Sequence, residues 1–257
     1  NSTDQFFISR YFGTEAFADF SNGAMELPFI GMVVGACSTV LLPIYSKLSK
    51  NNSLSNGEVD GIISIWNSVL SKTVMLIYPL IIYCIVFSNE IMVVLYGSQY
   101  ESSGKYFFIM LFNNFISIIS CYPLLLALNK TKEYGIVYFF NFIILVLLEY
   151  CAVLFFHSVE SICIISVLCL WMRVFIFIKI ISNTLRVSIH NIIPYKTILI
   201  VIIQSVIVAL TIRSLMIVEK NVYSIFLSLM LFGTIIILSA KLFKINYLAI
   251  IKPLLKR

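Results

Sequence analysis

The chain has 257 residues, of which 60% are hydrophobic and only 12% are charged. Ordinary soluble domains carry about 45–50% apolar residues and about 25% charged residues. A soluble fold of this length has too little interior for so much apolar surface, because burial is limited by the ratio of surface to volume. The composition therefore excludes a soluble domain and predicts an integral membrane protein.

The net charge of +6 does not indicate a nucleic-acid-binding protein, because the basic residues lie at the ends of apolar runs and form no patch. The six cysteines form no C-x-x-C pair, so neither a disulfide framework nor a metal site is predicted. His157 and His190 stand alone, without a partner at the spacing of metal ligands. We therefore expect no metal, no cofactor and no nucleic-acid partner.

Seven apolar runs are each about 20 residues long, which is enough to cross a hydrocarbon core about 30 Å thick. None has the alternation of a membrane β-barrel, so the predicted fold class is all-α, a polytopic bundle of transmembrane helices. A shorter stretch at residues 4–12 is interpreted as the end of an earlier spanning helix. The seven runs cover residues 23–45, 68–87, 107–128, 135–156, 162–181, 197–217 and 223–242.

The lysines and arginines predict the orientation of this bundle, since cytoplasmic loops carry an excess of them. If the loops alternate between the two sides, thirteen of the 18 basic residues fall on one side and four on the other. Arg173 lies within a span and is not counted. We therefore expect a multi-pass protein of the bacterial inner membrane with the thirteen basic residues and the C-terminus in the cytoplasm.

The first run contains small residues and a proline that predict its packing. Gly31 and Gly35 form a G-x-x-x-G step, which lets two helix backbones approach closely in lipid. Pro28 removes one backbone hydrogen bond and is expected to kink the helix, and Pro79 and Pro123 repeat this feature in the next two runs. The step is either part of a helix that bends beside a cavity or ordinary packing between helices.

Ionisable residues within the membrane are costly and usually face protein or water. Asp4, Arg10 and Glu26, near the first run, are interpreted as lining a polar cavity. Glu149 and Arg173 lie deep in two consecutive runs, and we expect them to form an ion pair between helices. The alternative for these two is a polar cavity that binds an anionic or sugar-bearing substrate or relays a cation.

Motifs for catalysis are missing from the sequence. It contains no G-x-x-x-x-G-K-[ST] loop for ATP, no G-x-S-x-G and no paired acidic motif of a glycosyltransferase. The chain is therefore predicted not to be an enzyme.

One stretch carries a more specific pattern: D-x-x-x-I-S, then a short G-[TP]-E turn, then a helix that ends S-T-V-L-x-P-x-x-S-x-L. The matching residues are Asp4, Ile8, Ser9, Gly13, Thr14, Glu15, Ser38, Thr39, Val40, Leu41, Pro43, Ser46 and Leu48. This stretch closely resembles polysaccharide flippases of the multidrug/oligosaccharidyl-lipid/polysaccharide exporter superfamily. The later segments LYGSQYESSGKYF and PLLLALNKTKEY also resemble that family, so the resemblance covers residues 4–134.

The resemblance implies an architecture of two six-helix lobes around a central cavity. On this interpretation, residues 1–182 form the C-terminal lobe, with a truncated first helix and five spans, and residues 183–257 form two final helices and a cytoplasmic tail. Because the sequence starts at Asn1 rather than Met, we expect a C-terminal fragment whose partner is the missing N-terminal lobe.

The resemblance also implies a substrate, which is an oligosaccharide unit of O-antigen or capsule linked to undecaprenyl diphosphate. Alternating access would move this lipid from the cytoplasmic to the outer leaflet. The central cavity of such proteins is lined chiefly by the first two helices of each lobe, which here means Asp4, Arg10 and Glu26. Since a cation can complement a diphosphate, Arg10 is the first choice for a residue that faces the substrate.

Two other functions remain open from the sequence. The first is a cation-coupled multidrug exporter of the same superfamily, in which Asp4 or Glu149 would couple the ions. The second is an integral-membrane polysaccharide polymerase, although such enzymes usually carry a large periplasmic loop, and the longest one predicted here is residues 88–106.

Overall fold

The computed structural model describes residues 2–49, 55–215, 220–243, 245 and 247. Helices are the regular secondary structure of these residues, with one 3-10 turn at Ser98–Tyr100. The predicted cytoplasmic tail lies largely outside the described residues, as does part of the loop after the first run. The helices are α1 (Ser2–Tyr11), α2 (Gly13–Gly23), α3 (Pro28–Leu48), α4 (Asn56–Val86), α5 (Ser88–Tyr96), α6 (Ser103–Ser117), α7 (Tyr122–Ala127), α8 (Thr131–Phe155), α9 (Val159–Leu185), α10 (Ile189–Ile192), α11 (Tyr195–Leu215) and α12 (Val222–Ser239).

Seven helical segments among the described residues are long and apolar enough to cross a membrane. The spans are α3, α4, α6 with α7, α8, α9, α11 and α12, and they correspond to the seven predicted runs. Large apolar side chains cover their outward faces, including Phe139 and Leu168, which are each 61% exposed. Such surface is stable only against lipid. The number of spans and the all-α fold class are therefore confirmed, and the chain is a multi-pass membrane protein.

Helix α4 forms the centre of the bundle, with α3, α6, α11 and α12 against it. It begins with a capping box, in which Ser55 accepts a hydrogen bond from the backbone N–H of Glu58 while the Glu58 carboxylate accepts from Ser55. Further along, Val74 and Ile81 are fully buried. Helix α4 is therefore apolar on several faces because it is surrounded by protein rather than by lipid.

At one end of the bundle, hydrogen bonds connect segments that the charge pattern places on the same side of the membrane. The hydroxyl of Ser49 donates to the carbonyl oxygen of Ala127 (2.8 Å), and Asn67 Nδ2 donates to the carbonyl oxygen of Asn191 (2.6 Å). These contacts connect the end of α3 to the end of α7, and the first part of α4 to α10. We call this end the basic face, because it carries the loops in which most lysines and arginines were counted.

The other end, here the opposite face, is joined by ion pairs. Lys105 lies 2.6 Å from the Glu160 carboxylate, and Lys220 lies 2.7 Å from that of Glu101. These pairs connect the loops that precede α6, α9 and α12. The grouping of loops thus agrees with the alternation inferred from charge, while the assignment of the basic face to the cytoplasm stays a prediction.

The prolines do not all act as predicted. Pro28 is the first residue of α3, where its missing N–H would have no partner within the helix, so the expected kink at Pro28 is wrong. Pro79 lies within α4, which runs on to Val86. Pro123 opens α7 after a break at residues 118–121, so the third span is interrupted there.

The glycine step of α3 does not make the predicted close contact within the described residues. A Cβ atom added at Gly31 or Gly35 would meet nothing within 4 Å. Helix α3 instead packs through the face that carries Leu41 and Tyr45, which are 7% and 0% exposed. The small residues therefore lie on an open face of the bundle.

A close helix contact occurs instead at Gly23, the last residue of α2, a helix that the sequence analysis did not predict. A Cβ atom at Gly23 would lie 2.6 Å from the carbonyl oxygen of Ser103 and 2.9 Å from the backbone nitrogen of Phe107. Both atoms belong to α6 and cannot rotate away. Gly23 thus sets the distance between α2 and α6.

We therefore expect Gly23→Ala to lower the free energy of unfolding by about 1–3 kcal/mol, because one added methyl group forces the two helices apart. The matched control is Gly135→Ala on α8, where nothing lies within 4 Å of the new Cβ atom. Thermal unfolding in detergent measures the difference. Equal stability of the two variants would show that α2 and α6 are not in close contact.

Candidate functional site

A polar cavity of about 310 Å³ lies inside the bundle, between the start of α3 and helices α6, α8 and α9. Its polar lining comprises Glu26, Asn113, Asn114, Ser117, Asn141, Ser166 and Arg173. Polar side chains within a membrane bundle are costly and usually mark the path or the site of a substrate. The cavity is therefore the candidate functional site.

Two asparagines show how the cavity is built. Asn141 of α8 is buried, and its Nδ2 donates to the backbone carbonyl oxygen of Cys169 on α9 (2.9 Å), which fixes the two helices at this level. Asn113 of α6 has a buried Oδ1 atom without a hydrogen-bond partner. An orphaned acceptor of this kind is stable when water or a ligand supplies the donor. The cavity wall thus has a hydrogen-bond acceptor that is available to a bound ligand.

Arg173 supplies the positive charge of the cavity. Its guanidinium carbon lies 4.3 Å from the centre of the Tyr138 ring, a cation–π contact. Its Nε atom is buried and has no hydrogen-bond partner, and none of the ion pairs among the described residues includes Arg173. A guanidinium without a carboxylate partner is suited to bind a phosphate or another anion.

Next to the cavity, towards the opposite face, lies a pair of buried carboxyl groups. Asp4 of α1 and Glu149 of α8 are both 0% exposed, and the two carboxyl groups interact directly. The hydroxyl of Ser166 on α9 donates to Asp4 Oδ2 (2.9 Å). Asp4 Oδ1 and both carboxyl oxygens of Glu149 accept no hydrogen bond from an amide, hydroxyl or amine group of the described residues.

Two adjacent carboxylates repel each other, and a medium of low dielectric constant strengthens the repulsion. The pair is therefore stable only when it holds a proton or a bound cation. Ser166 connects the pair to the cavity, since it both bonds Asp4 and lines the cavity wall. A molecule bound in the cavity is thus one side chain away from the carboxyl pair.

The structure does not bring Glu149 and Arg173 together in the predicted ion pair. The hydrogen bond from Asn141 to Cys169 sets the register of the antiparallel helices α8 and α9. In this register Glu149 lies about level with residue 161, so it is roughly 18 Å from Arg173 along the bundle at a rise of about 1.5 Å per residue. Neighbouring spans run in opposite directions, and positions that look similarly deep in the sequence can therefore lie at different depths.

The other three predicted residues occupy different places. Glu26 lines the cavity from the turn between α2 and α3. Asp4 is buried behind Ser166, and Arg10 is exposed near the end of α1. Arg10 and Asp4 are six positions apart and point to different sides of the helix, so α1 cannot present both to one cavity.

Three further polar residues line the cavity without having been predicted from the sequence: Asn113 and Asn114 of α6 and Ser166 of α9. A signal for the first two was present, because paired asparagines are unusual in an apolar run. Ser166 carried no such signal, since single serines are common in transmembrane helices.

Residues 1–105 match the model of a protein family described as polysaccharide biosynthesis protein. No curated protein and no solved structure matches the chain. The matched region contains α1 to α5 and therefore includes Asp4 and Glu26. The chain is thus a multi-pass membrane protein whose first 105 residues are similar to polysaccharide biosynthesis proteins.

Proposed function

We propose that the chain is the C-terminal lobe, residues 1–182, and final helix pair, residues 183–257, of a flippase in the bacterial inner membrane. The substrate is an oligosaccharide unit of O-antigen or capsule linked to undecaprenyl diphosphate. The observation that carries the proposal is the unpaired Arg173 on a polar cavity inside a membrane bundle.

The chemistry of the cavity suits such a substrate. The guanidinium of Arg173 can bind a diphosphate, and the asparagines of α6 can bind sugar hydroxyl groups. The match of residues 1–105 to polysaccharide biosynthesis proteins favours this cargo over a drug. Membrane lipid and the lipid-linked oligosaccharide are then the small-molecule partners of the protein.

The open face of α3 supports a second lobe as partner. Gly31 lies both on this face and on the cavity wall, and Gly35 follows one turn later. Small residues on a helix face allow a second bundle to approach closely. On this proposal, the N-terminal lobe covers α3 and closes the cavity, and alternating access moves one lobe against the other.

The carboxyl pair supplies the coupling in this proposal. A flippase that works against a gradient needs an ion whose binding biases one conformation over the other. Asp4 belongs to α1 and Glu149 to α8, so a cation held between them joins two helices that could otherwise separate. Occupancy of the pair would in this way control the position of α1 beside the cavity.

Deletion of the gene tests the proposed function. Lipid-linked repeat units should accumulate in the membrane while surface polysaccharide disappears, and the full-length gene should reverse both effects. Mass spectrometry of extracted lipids and gels of surface glycan measure them. Normal surface polysaccharide in the deletion strain would refute the proposal, and altered drug tolerance with unchanged glycan would favour a multidrug exporter.

A further inference from the structure

A second cavity of about 230 Å³ adjoins the polar cavity on the side of the basic face. We call it the aromatic pocket, because Tyr122, Tyr134, Tyr138 and Phe177 line it. Arg173 lines both cavities and therefore stands at the boundary between them. The two cavities are neighbours along α9 and also share Ser117 and Leu170 in their walls.

The rings of the aromatic pocket form one connected group. Tyr134 is stacked on Phe177 with a centroid distance of 4.9 Å and an angle of 13° between the planes. Tyr138 and Tyr122 contact Tyr134 at 4.7 Å and 5.3 Å. Phe177 is 3% exposed and forms the base, whereas Tyr122 and Tyr138 are 47% and 40% exposed. The half-exposed rings thus stand on a rigid aromatic base.

An aromatic belt at the membrane surface does not account for this group. Belt residues anchor separate helices at the level of the headgroups. Here rings from α7, α8 and α9 converge on one cavity, which also contains a guanidinium and the hydroxyl groups of Ser117 and Ser120. Convergence of aromatic faces, hydroxyl groups and one cation on a cavity is typical of a ligand site rather than of a membrane anchor.

The chemistry of the pocket matches a sugar ring next to an anion. The C–H face of a pyranose packs on an aromatic face, which carries partial negative charge. Serine and tyrosine hydroxyl groups can donate to and accept from sugar hydroxyl groups. The anionic neighbour of the sugar then lies at Arg173, whose guanidinium lies over the Tyr138 ring at the edge of the group, 4.3 Å from the ring centre.

We propose that the aromatic pocket binds the first sugar of the lipid-linked substrate, while Arg173 holds the adjacent diphosphate at the boundary of the two cavities. This inference rests on the proposed flippase function and adds the position and the recognition of the sugar. The pocket selects substrates that carry a sugar directly on the diphosphate. Unglycosylated lipid carrier lacks the group that fills the pocket and binds more weakly.

Binding of two probes to the purified protein in lipid nanodiscs tests the proposal. The probes are farnesyl diphosphate and farnesyl diphosphate that carries one N-acetylglucosamine. We expect the sugar-bearing probe to bind roughly tenfold more tightly, since two aromatic contacts contribute to it. Tyr122→Leu and Tyr138→Leu should each reduce this ratio towards one, because leucine keeps the apolar volume but removes the ring.

The control is Tyr150→Leu on α8, an exposed tyrosine that lines neither cavity. It should keep the preference of the unaltered protein. Equal binding of the two probes, or an unchanged preference in both pocket variants, would overturn the sugar site and leave the flippase proposal standing. Failure to bind either probe would count against the flippase proposal itself.

Discussion

Replacement of Arg173 by glutamine is expected to reduce transport of lipid-linked oligosaccharide roughly ten- to hundredfold, because a hydrogen bond to a charged group contributes about 1.5–3 kcal/mol. The side chain has no ion-pair partner among the described residues, so its charge is free for the substrate. Glutamine keeps a hydrogen-bond donor and most of the length of the side chain. A loss of transport in this variant would therefore show that transport requires the positive charge of Arg173.

The melting temperature of the variant distinguishes a loss of substrate binding from misfolding. An unpaired guanidinium in the membrane is costly, so Arg173→Gln should unfold at the same temperature as the unaltered protein or at a higher one. Lys179→Gln is the matched control, since it removes the same charge from an exposed position of α9. Surface polysaccharide in a complemented deletion strain measures transport. Full transport activity of the Arg173 variant would show that Arg173 does not contact the substrate.

Replacement of Glu149 by glutamine is expected to change stability and transport in opposite directions. The new amide group can donate to Asp4 Oδ1, which now has no partner, and it removes one of two neighbouring acidic groups. We expect the free energy of unfolding to rise by about 1–3 kcal/mol and the melting temperature by a few degrees. Transport should fall more than tenfold, because the pair can no longer hold its cation. Asp4→Asn should behave in the same way.

Glu160→Gln is the control for these variants. Its carboxylate is partly exposed and pairs with Lys105 on the opposite face, so its loss should cost at most about 1 kcal/mol and leave transport unchanged. Transport by the Glu149 variant should also lose its dependence on an imposed proton or sodium gradient. A variant that is less stable, or one that keeps gradient-dependent transport, would show that the pair has a structural role only.

The sequence was sufficient to predict the positions of the membrane spans, because hydropathy is a local property. Each apolar run of about 20 residues lowers its free energy in lipid by itself, whatever its neighbours do. For the same reason, the charges between the runs predict how the loops are grouped, and ion pairs such as Lys220–Glu101 agree with that grouping. The sequence failed for short elements such as α2, which is too polar to form a run and is held by its contact with α6 at Gly23.

The residues predicted for the site are found in different places. Glu26 lines the cavity and Asp4 lies behind Ser166, whereas Arg10 is exposed and does not line it, and Arg173 is the cation on the cavity wall. The sequence showed Glu149 and Arg173 as two opposite charges in adjacent spans. The register of α8 against α9 separates Glu149 from Arg173, and the packing of α1 places the acid Asp4 beside Glu149 instead.

The amino-acid sequence alone thus determined that the chain is a membrane bundle, how many spans it has and which loops lie together. The tertiary structure decided which polar side chains share a space, as when Ser166 joins Asp4 to the cavity and Arg173 meets the ring of Tyr138. The reason is that insertion into lipid depends on each helix separately. Rotation and depth depend on contacts between helices that are far apart in the chain, and a shift of one residue turns a side chain by about 100° and moves it to another face.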